Sequence, residues 1–174
     1  MNAPRVIFSH GHLSSPESRK IVQLAPLARA HGFDVEAIDY RDLRDDPVGR
    51  AQRLIGRLQD LDQPAILIGS SMGGYVSIAA AEHLPVCGLF LMAPALFLEH
   101  YVDGGVVPDS YRPKTRHVSI VHGWRDEVIP WHNSLKFAEQ SRAELHLIDA
   151  SHDLNEGLPS IAACLKDFLQ KLPV

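Results

Sequence analysis

Short apolar runs alternate with amphipathic stretches along the whole chain. Six runs have the length and composition of buried strands: residues 5–9, 34–38, 65–69, 86–92, 117–121 and 145–148. Five other segments carry apolar residues three and four positions apart, the period of a helix: residues 18–31, 47–61, 72–83, 131–141 and 157–171. Near-continuously apolar strands that alternate with helices predict an α/β fold with a doubly wound, mostly parallel sheet covered on both faces.

No repeat and no low-complexity linker interrupts this alternation, so we expect a single domain over residues 1–174. Segment 95–116 is the one departure from the pattern, because it holds Gly104, Gly105, Pro108 and Pro113 among scattered apolar residues. It is predicted to be a long loop or a set of short irregular helices. Loops of that length are usually functional or mobile.

Composition narrows the class of protein. The 174 residues are 45% hydrophobic and 22% charged with a net charge of −4, and a chain of this size buries a core without a metal or disulfide. The mildly acidic balance argues against nucleic acid or an anionic membrane as the main partner and favours a small molecule. We expect a cytoplasmic protein, since no leader and no apolar stretch of membrane-spanning length is present. Cys87 and Cys164 are expected to be reduced core residues.

The turn after the third predicted strand carries the clearest motif. In a parallel sheet, ligands bind at the carboxyl ends of the strands, and here the third strand runs into Gly69-Ser70-Ser71-Met72-Gly73 and then a helix. This matches the Gly-x-Ser-x-Gly nucleophile elbow, in which the N–H after the serine also points at the reacting atom. Ser70 lacks the glycines two positions away on both sides, so Ser71 is the predicted nucleophile and Met72 one oxyanion donor.

A serine nucleophile needs a histidine base and a carboxylate that orients it. His152 lies in a small-residue turn after the last strand, and Asp126 lies in the turn after the fifth strand. Their order after Ser71 is serine, acid, histidine, as in enzymes with this elbow. We therefore predict a triad of Ser71, Asp126 and His152. Three nearby carboxylates are less favoured alternatives for the acid: Glu127, Asp149 and Asp153.

The loop after the first strand should supply the second oxyanion donor. We assign it to the N–H of His12, with Leu13 as the alternative. His10 and His122 each precede a glycine at a strand end, where an imidazole is expected to bond nearby backbone. Alternate histidines at His10 and His12 could suggest a metal, but a site needs three or four ligands, so no metal and no cofactor is expected.

With these residues in place, the chain resembles the α/β-hydrolases, and more narrowly the small lidless bacterial esterases of the YqiA-like or RBBP9-like kind. The resemblance spans nearly the whole chain: a His-Gly-x loop, the elbow serine, the acid and the histidine follow the strands in the superfamily's order. It implies a three-layer αβα sandwich of six strands in the order 2-1-3-4-5-6, without a cap domain. The usual antiparallel strands at the start are expected to be absent, because the chain begins at the strand that carries the oxyanion loop.

Any cover over the site must come from segment 95–116. Its apolar residues either line an acyl pocket or complete the core, and periodicity does not separate the two: Leu96, Phe97, Leu98, Tyr101, Val106, Val107 and Tyr111. The substrate-binding residues are assigned as Leu13, Leu96, Phe97, Tyr101 and Val128.

The expected function is a serine hydrolase that cleaves small carboxylic esters through an acyl-enzyme. A serine in place of an aspartate nucleophile argues against dehalogenase or epoxide hydrolase chemistry. Two alternatives stay open: an acyl thioesterase, and a non-catalytic binding module on the same scaffold, since fold does not dictate function. The physiological acyl group and the oligomeric state are not determined by the sequence.

Overall fold

The computed structural model describes residues 3–101 and 106–173. The strands are β1 (Arg5–Ser9), β2 (Asp34–Ile38), β3 (Ala65–Ser70), β4 (Gly88–Met92), β5 (Val118–Gly123) and β6 (Glu144–Ile148). They form one sheet in the order β2-β1-β3-β4-β5-β6, and every pair of neighbours is parallel. The predicted parallel sheet and its strand order are confirmed.

Within the described ranges, five α-helices cover the two faces of the sheet: α1 (Arg19–Ala30), α2 (Pro47–Gln59), α3 (Met72–His83), α4 (Trp131–Ser141) and α5 (Leu158–Lys171). Helices α1 and α5 pack on one face, around Leu24 and Ile161. Helices α2, α3 and α4 pack on the other, around Leu54, Val76 and Phe137. The result is the expected three-layer αβα sandwich.

The central strands are buried on both faces, which explains why they are apolar at consecutive positions. In β3, Ile66, Leu67 and Ile68 are all fully buried. Ile66 and Ile68 face α1 and α5, whereas Leu67 faces α2 and α3. Successive side chains of a central strand are thus buried in one core or the other. Polar side chains that could take part in chemistry therefore lie at the strand ends.

Several element boundaries differ from the prediction by one or two residues. Ser18 was predicted inside the first helix but is its N-cap, and its hydroxyl accepts the N–H of Ile21 at 3.4 Å. Strand β5 runs two residues beyond the predicted end, because His122 and Gly123 continue the pairing with β6. Polar and glycine residues hid this extension in the hydrophobic pattern.

Segment 95–116 holds one short 3-10 helix, Glu99–Tyr101, and is otherwise irregular where the structure describes it. Gly104 and Gly105 lie outside the described residues. Leu96, Tyr101 and Tyr111 belong to the core beside α3. A large part of this segment therefore completes the core.

Two features away from the strand ends can be stated briefly. Cys87 and Cys164 are free, half-buried thiols that pack against the core beneath α1 and α5. Over residues 3–101 and 106–173, none of the helices combines the length and the apolar character that crossing a bilayer requires.

Candidate active site

Ser71 occupies a strained turn between β3 and α3. Its backbone angles are φ 53° and ψ −117°, and positive φ is unfavourable for a residue with a Cβ. Surrounding bonds hold the conformation: its N–H donates to the Met92 carbonyl at 2.9 Å, and its carbonyl accepts the N–H groups of Gly74 at 2.9 Å and Ala95 at 3.0 Å. The turn therefore presents the hydroxyl outward from the end of the sheet.

The start of α3 lies directly against the end of β1, and Gly73 makes this possible. A Cβ at Gly73 would overlap the carbonyl oxygen of Ser9 and lie 2.8 Å from that of His10. Both obstacles are backbone atoms, which cannot rotate away as a side chain does. Gly73, two positions after the serine, thus allows the loop that follows β1 to lie close to the nucleophile.

His152 lies between Ser71 and Asp126 in the turn after β6. Its Nε2 is 3.0 Å from Ser71 Oγ, and its Nδ1 is 2.8 Å from Asp126 Oδ2. An ionised carboxylate only accepts hydrogen bonds, so Nδ1 carries the proton and Nε2 is free to accept the serine proton. The structure brings together the three residues that the sequence analysis assigned to the triad.

The Asp126 carboxylate is fully enclosed and has four donors. Oδ1 accepts the N–H groups of Val128 at 2.9 Å and Ile129 at 2.8 Å, while Oδ2 accepts from His152 and His122. Burial by itself raises the pKa of Asp126, but the hydrogen bonds from His122, His152 and Ile129 outweigh it, and the pKa lies well below its ordinary value. Asp126 is therefore an anion at neutral pH.

His122 is a contact of Asp126 that sequence reasoning missed. Its buried ring places Nε2 3.0 Å from Asp126 Oδ2 and 3.0 Å from the Ile129 carbonyl. Two acceptors face Nε2, so this nitrogen carries a proton, and Nδ1 accepts the Ser134 hydroxyl at 2.7 Å. The expected backbone bond is present, but the carboxylate contact was not foreseen. Its only sequence signal is the four-residue spacing to Asp126 within one turn.

The alternative carboxylates are engaged elsewhere. Asp149 accepts from Arg125 at 2.6 Å, Asp153 accepts the N–H of Asn155 at 3.0 Å, and Glu127 is exposed. None of the three bonds the His152 ring in the part of the chain that the structure describes. The geometry therefore favours Asp126 as the acid.

The loop after β1 passes beside the nucleophile. A Cβ at Gly11 would lie 3.6 Å from the Ser71 Cβ. The His10 ring is locked against backbone: Nδ1–H donates to the Gly11 carbonyl at 2.8 Å, and Nε2 accepts the Tyr40 N–H at 3.0 Å. Burial lowers the pKa of His10, which keeps the ring neutral.

Two turns beside Ser71 carry backbone N–H groups that could serve as donors. The N–H groups of His12, Leu13 and Met72 have no acceptor among the described residues, as a ready oxyanion hole requires. The His12 side chain points outward, where Nε2 meets Asp45 Oδ1 at 2.5 Å. Over the described ranges, no group of three or more His, Cys, Asp or Glu side chains is arranged to hold a metal ion.

A cavity of about 480 Å³ opens beside Ser71, within the size range of small-molecule sites. Three predicted substrate contacts line it, Leu13, Tyr101 and Val128. Leu13 is 76% exposed and Val128 63% exposed, so both form the rim. The inner wall is apolar and comes from β1, α1, β3, β4 and the turn before α4: Phe8, Ile21, Ile68, Met92 and Ile129.

Two predicted substrate contacts do not line this cavity. Leu96 is fully buried in the core beside α3. Phe97 packs on Tyr111 with ring centroids 5.0 Å apart, and the Lys136 ammonium covers its face. Both side chains pack with the core beside α3 instead of the cavity, because the chain after β4 turns its apolar residues into that core.

Lys20 is a lining residue that sequence reasoning did not single out. Its ammonium donates to the Asp153 carbonyl at 2.6 Å and so ties α1 to the histidine turn. Burial lowers the pKa of Lys20, and the Asp153 carboxylate partly offsets this. The lysine thus closes one side of the cavity next to His152.

Comparison with protein families decides where the chain belongs. The model of the uncharacterised protein family UPF0227 matches residues 5–106, more than half of the chain. The chain belongs to the UPF0227 family. The matched region holds the loop after β1 and the serine elbow, whereas the acid and histidine turns lie beyond it.

Relatives of this UPF0227 protein are hydrolases. The mitochondrial palmitoyl-protein thioesterase ABHD10 of Rattus norvegicus is 25% identical, over 79% of this chain and 63% of its own length. The match thus spans less than two thirds of that relative.

Solved structures support the same superfamily. A protein of the α/β hydrolase superfamily from Xanthomonas campestris is 29% identical with a TM-score of 0.84, over 98% of this chain and 100% of that one. A serine hydrolase without a lid from Xanthomonas campestris has the same fold, with 21% identity and a TM-score of 0.75 over 99% and 85% of the two chains. The UPF0227 chain is a member of the α/β-hydrolase superfamily, as its sequence motifs predicted.

Proposed function

We propose that this protein is a serine hydrolase that cleaves small carboxylic esters through an acyl-enzyme. One observation carries the proposal: an unbroken line of hydrogen bonds joins Ser71 Oγ to His152 at 3.0 Å and His152 to Asp126 at 2.8 Å. This is the geometry that activates a serine hydroxyl. The cavity of about 480 Å³ beside Ser71 gives an acyl group access to it.

In the acylation step, Ser71 Oγ attacks the carbonyl carbon while its proton passes to His152 Nε2. The imidazolium that forms is stabilised by the Asp126 anion at Nδ1. The carbonyl oxygen becomes an oxyanion, which accepts from the N–H of Met72 and from that of His12 or Leu13. His152 then protonates the leaving alcohol as its bond to carbon breaks, and the acyl group stays on Ser71.

Water completes the cycle. It attacks the acyl carbon while His152 Nε2 takes one of its protons, and the same two N–H groups hold the second oxyanion. Collapse of this intermediate breaks the bond to Ser71, and His152 returns the proton to Oγ. The products are one carboxylic acid and one alcohol, and no cofactor takes part.

An acyl thioesterase is the second candidate, favoured by the similarity to ABHD10 proteins. The same residues serve a thioester, and a thiol leaves more easily because its pKa of about 8.5 is far below that of an alcohol. The apolar wall and open rim of the cavity accept an acyl group from either substrate. Comparing kcat/KM for p-nitrophenyl esters and acyl-CoA thioesters of equal chain length separates the two.

Labelling with a fluorophosphonate tests the proposal directly. The reagent requires an activated serine together with an oxyanion hole, so intact mass should show one adduct on the wild type. Ser71→Ala should show none, and the matched control Ser70→Ala, which changes the neighbouring serine, should keep the adduct. No adduct on folded wild-type protein would contradict the proposal and favour a binding module.

A further inference from the structure

Arg50 is a fully buried cation in the first turn of α2. In the described part of the chain, no carboxylate pairs with it. Its guanidinium instead donates to five backbone carbonyls, and it lies 5.3 Å from the Tyr40 ring centroid. The five acceptors are Leu43 at 2.8 Å, Arg44 at 3.1 Å, and His10, Gly11 and His12 at 3.2 Å each.

Three of those carbonyls are consecutive and belong to the loop beside Ser71. In a trans peptide, the carbonyl of one residue and the N–H of the next point in opposite directions. Binding of the Gly11 carbonyl therefore directs the His12 N–H away from Arg50, and binding of the His12 carbonyl does the same for the Leu13 N–H. In the part of the chain that the structure describes, neither of these N–H groups has an acceptor, and both residues line the cavity beside Ser71.

Burying a cation without a counter-ion is unfavourable, and burial lowers the pKa of Arg50. Packing alone would be served by an apolar side chain at this position, since replacement of buried ions by apolar residues is often neutral or stabilising. What an apolar residue lacks is a planar set of five donors that holds several carbonyls in one orientation. The position therefore calls for a guanidinium.

We propose that Arg50 is a positioning residue that orients the His10–Leu13 loop so that its free N–H groups form one half of the oxyanion hole. The inference rests on the proposed serine-hydrolase function and assigns a residue on which that function depends. Arg50 does not touch the substrate. It acts through peptide groups, and its positive charge further polarises the donors that stabilise the oxyanion.

The decisive experiment compares Arg50→Lys and Arg50→Gln with a matched control, Arg57→Gln. Arg57 lies on the same helix two turns later and pairs in bidentate fashion with Glu36 on β2, far from the loop. Steady-state kinetics on a p-nitrophenyl ester, inhibition by an alkyl boronic acid and thermal midpoints are measured for each variant. The boronate mimics the tetrahedral intermediate and therefore reports on the oxyanion hole.

We expect both Arg50 variants to lower kcat about 10- to 100-fold with little change in KM, because a displaced oxyanion donor should cost less than one that is removed. The boronate inhibition constant should rise by a similar factor, because both quantities depend on transition-state binding. Lysine keeps the charge but not the fork of donors, so Arg50→Lys should be impaired as well. Arg57→Gln should lower the thermal midpoint and leave kcat and boronate affinity unchanged.

Several outcomes would overturn the inference. Arg50 variants that keep wild-type kcat and boronate affinity, or that raise KM alone, exclude a role at the oxyanion. An Arg57→Gln variant that loses kcat to the same extent would show that lost stability explains the effect. A folded wild type without adduct or turnover would remove both proposals, whereas an active wild type with unaffected Arg50 variants removes only this one.

If neither Arg50 variant folds, the crystal structure of phosphonylated wild-type protein decides. A phosphoryl oxygen that accepts the N–H of His12 or Leu13 together with that of Met72 supports the inference. An oxygen turned away from the Arg50-anchored loop overturns it.

Discussion

Two turns supply the proposed oxyanion hole, and they are held in different ways. The elbow, Ser71 to Gly73, is anchored by its own backbone: the Ser71 carbonyl accepts from Gly74 and Ala95. The first turn, His10 to Leu13, is held by the side chain of Arg50, about forty positions later in the chain. Backbone hydrogen bonds stabilise the elbow, whereas a side chain from another helix stabilises the first turn.

This difference shows how the sequence determines the orientation of the two turns before substrate binds. The elbow needs a glycine two positions before and two positions after a strained serine, so a short motif identifies it. The first turn has no such motif, because its orientation comes from a guanidinium on another helix. Proposed oxyanion donors of the same kind can thus be set by a short motif or by a side chain on another helix.

Removing the Ser71 hydroxyl should give the largest effect and leave the N–H groups of both turns in place. Ser71→Ala is expected to lower kcat about 10⁴- to 10⁶-fold, because nucleophile and base act as a unit. Esterase assays should show that Ser71→Ala with His152→Ala is no worse than either single variant. Turnover near the wild-type rate in Ser71→Ala would refute the triad.

A methyl group added to each turn tests how tightly each is packed. In Gly73→Ala the Cβ meets backbone atoms of β1, whereas in Gly11→Ala it makes contacts of ordinary length at 3.6 Å. We expect Gly73→Ala to lower the free energy of unfolding by about 1–3 kcal/mol or more, and Gly11→Ala by under about 0.5 kcal/mol. Urea unfolding of both variants provides the measurement. Equal losses of unfolding free energy would show that the two turns are packed equally tightly.

The turn after β5 extends the comparison to the acid, which is anchored locally by His122. His122→Phe keeps a ring but removes the donor to Asp126, and it should lower kcat about tenfold, as for the loss of one hydrogen bond to a charged group. The control Ser134→Ala removes only the other partner of His122 and should change kcat by less than about twofold. If His122→Phe and Ser134→Ala change kcat by the same factor, the hydrogen bond from His122 to Asp126 has no specific role in catalysis.

The smallest expected effect is a loss of stability at acid pH. As the pH falls, the first turn should be destabilised at a higher pH than the elbow. The folded-state pKa of His10 is lowered by burial, so the unfolded chain takes up this proton first. The contribution of the neutral His10 ring to the free energy of unfolding is complete above about pH 6.5. It falls as the pH drops below that value, by at most about 1.4 kcal/mol per pH unit. Arg50 and Asp39 face the ring with opposite charges.

Thermal midpoints between pH 8 and pH 5 provide the measurement for His10. Asp126 stays ionised across this range, because its pKa is depressed. The variant His10→Gln cannot titrate at this position and should show a flatter dependence on pH than the wild type. Identical pH profiles would mean that His10 does not limit stability in acid.

Much of the fold followed from hydrophobic periodicity. The six strands and five helices were predicted with boundaries shifted by one or two residues, since caps such as Ser18 and polar strand residues such as His122 escape the pattern. Ser71, Asp126 and His152 were predicted to meet because each lies in a turn after a strand, and parallel strands bring their carboxyl ends to one edge.

Other parts of the site were missed for a physical reason. A periodic pattern indicates that Leu96 is apolar but not which cavity or core it faces. Arg50 left a weak signal, because it is a charged residue on the face of α2 that buries Pro47, Ala51 and Leu54. His122 was expected to bond backbone, and only the closed turn shows that it also bonds the acid.

The sequence by itself determined the order of elements, the parallel sheet and the residues at the ends of its strands, because these depend on local propensity and on which positions must be buried. The tertiary structure alone decided which groups surround them. Arg50 behind the first turn, His122 beside Asp126 and Leu96 in the core are all placed by long-range packing. Hydrogen bonds need directions and distances of a few ångströms, and these exist only once the chain has folded.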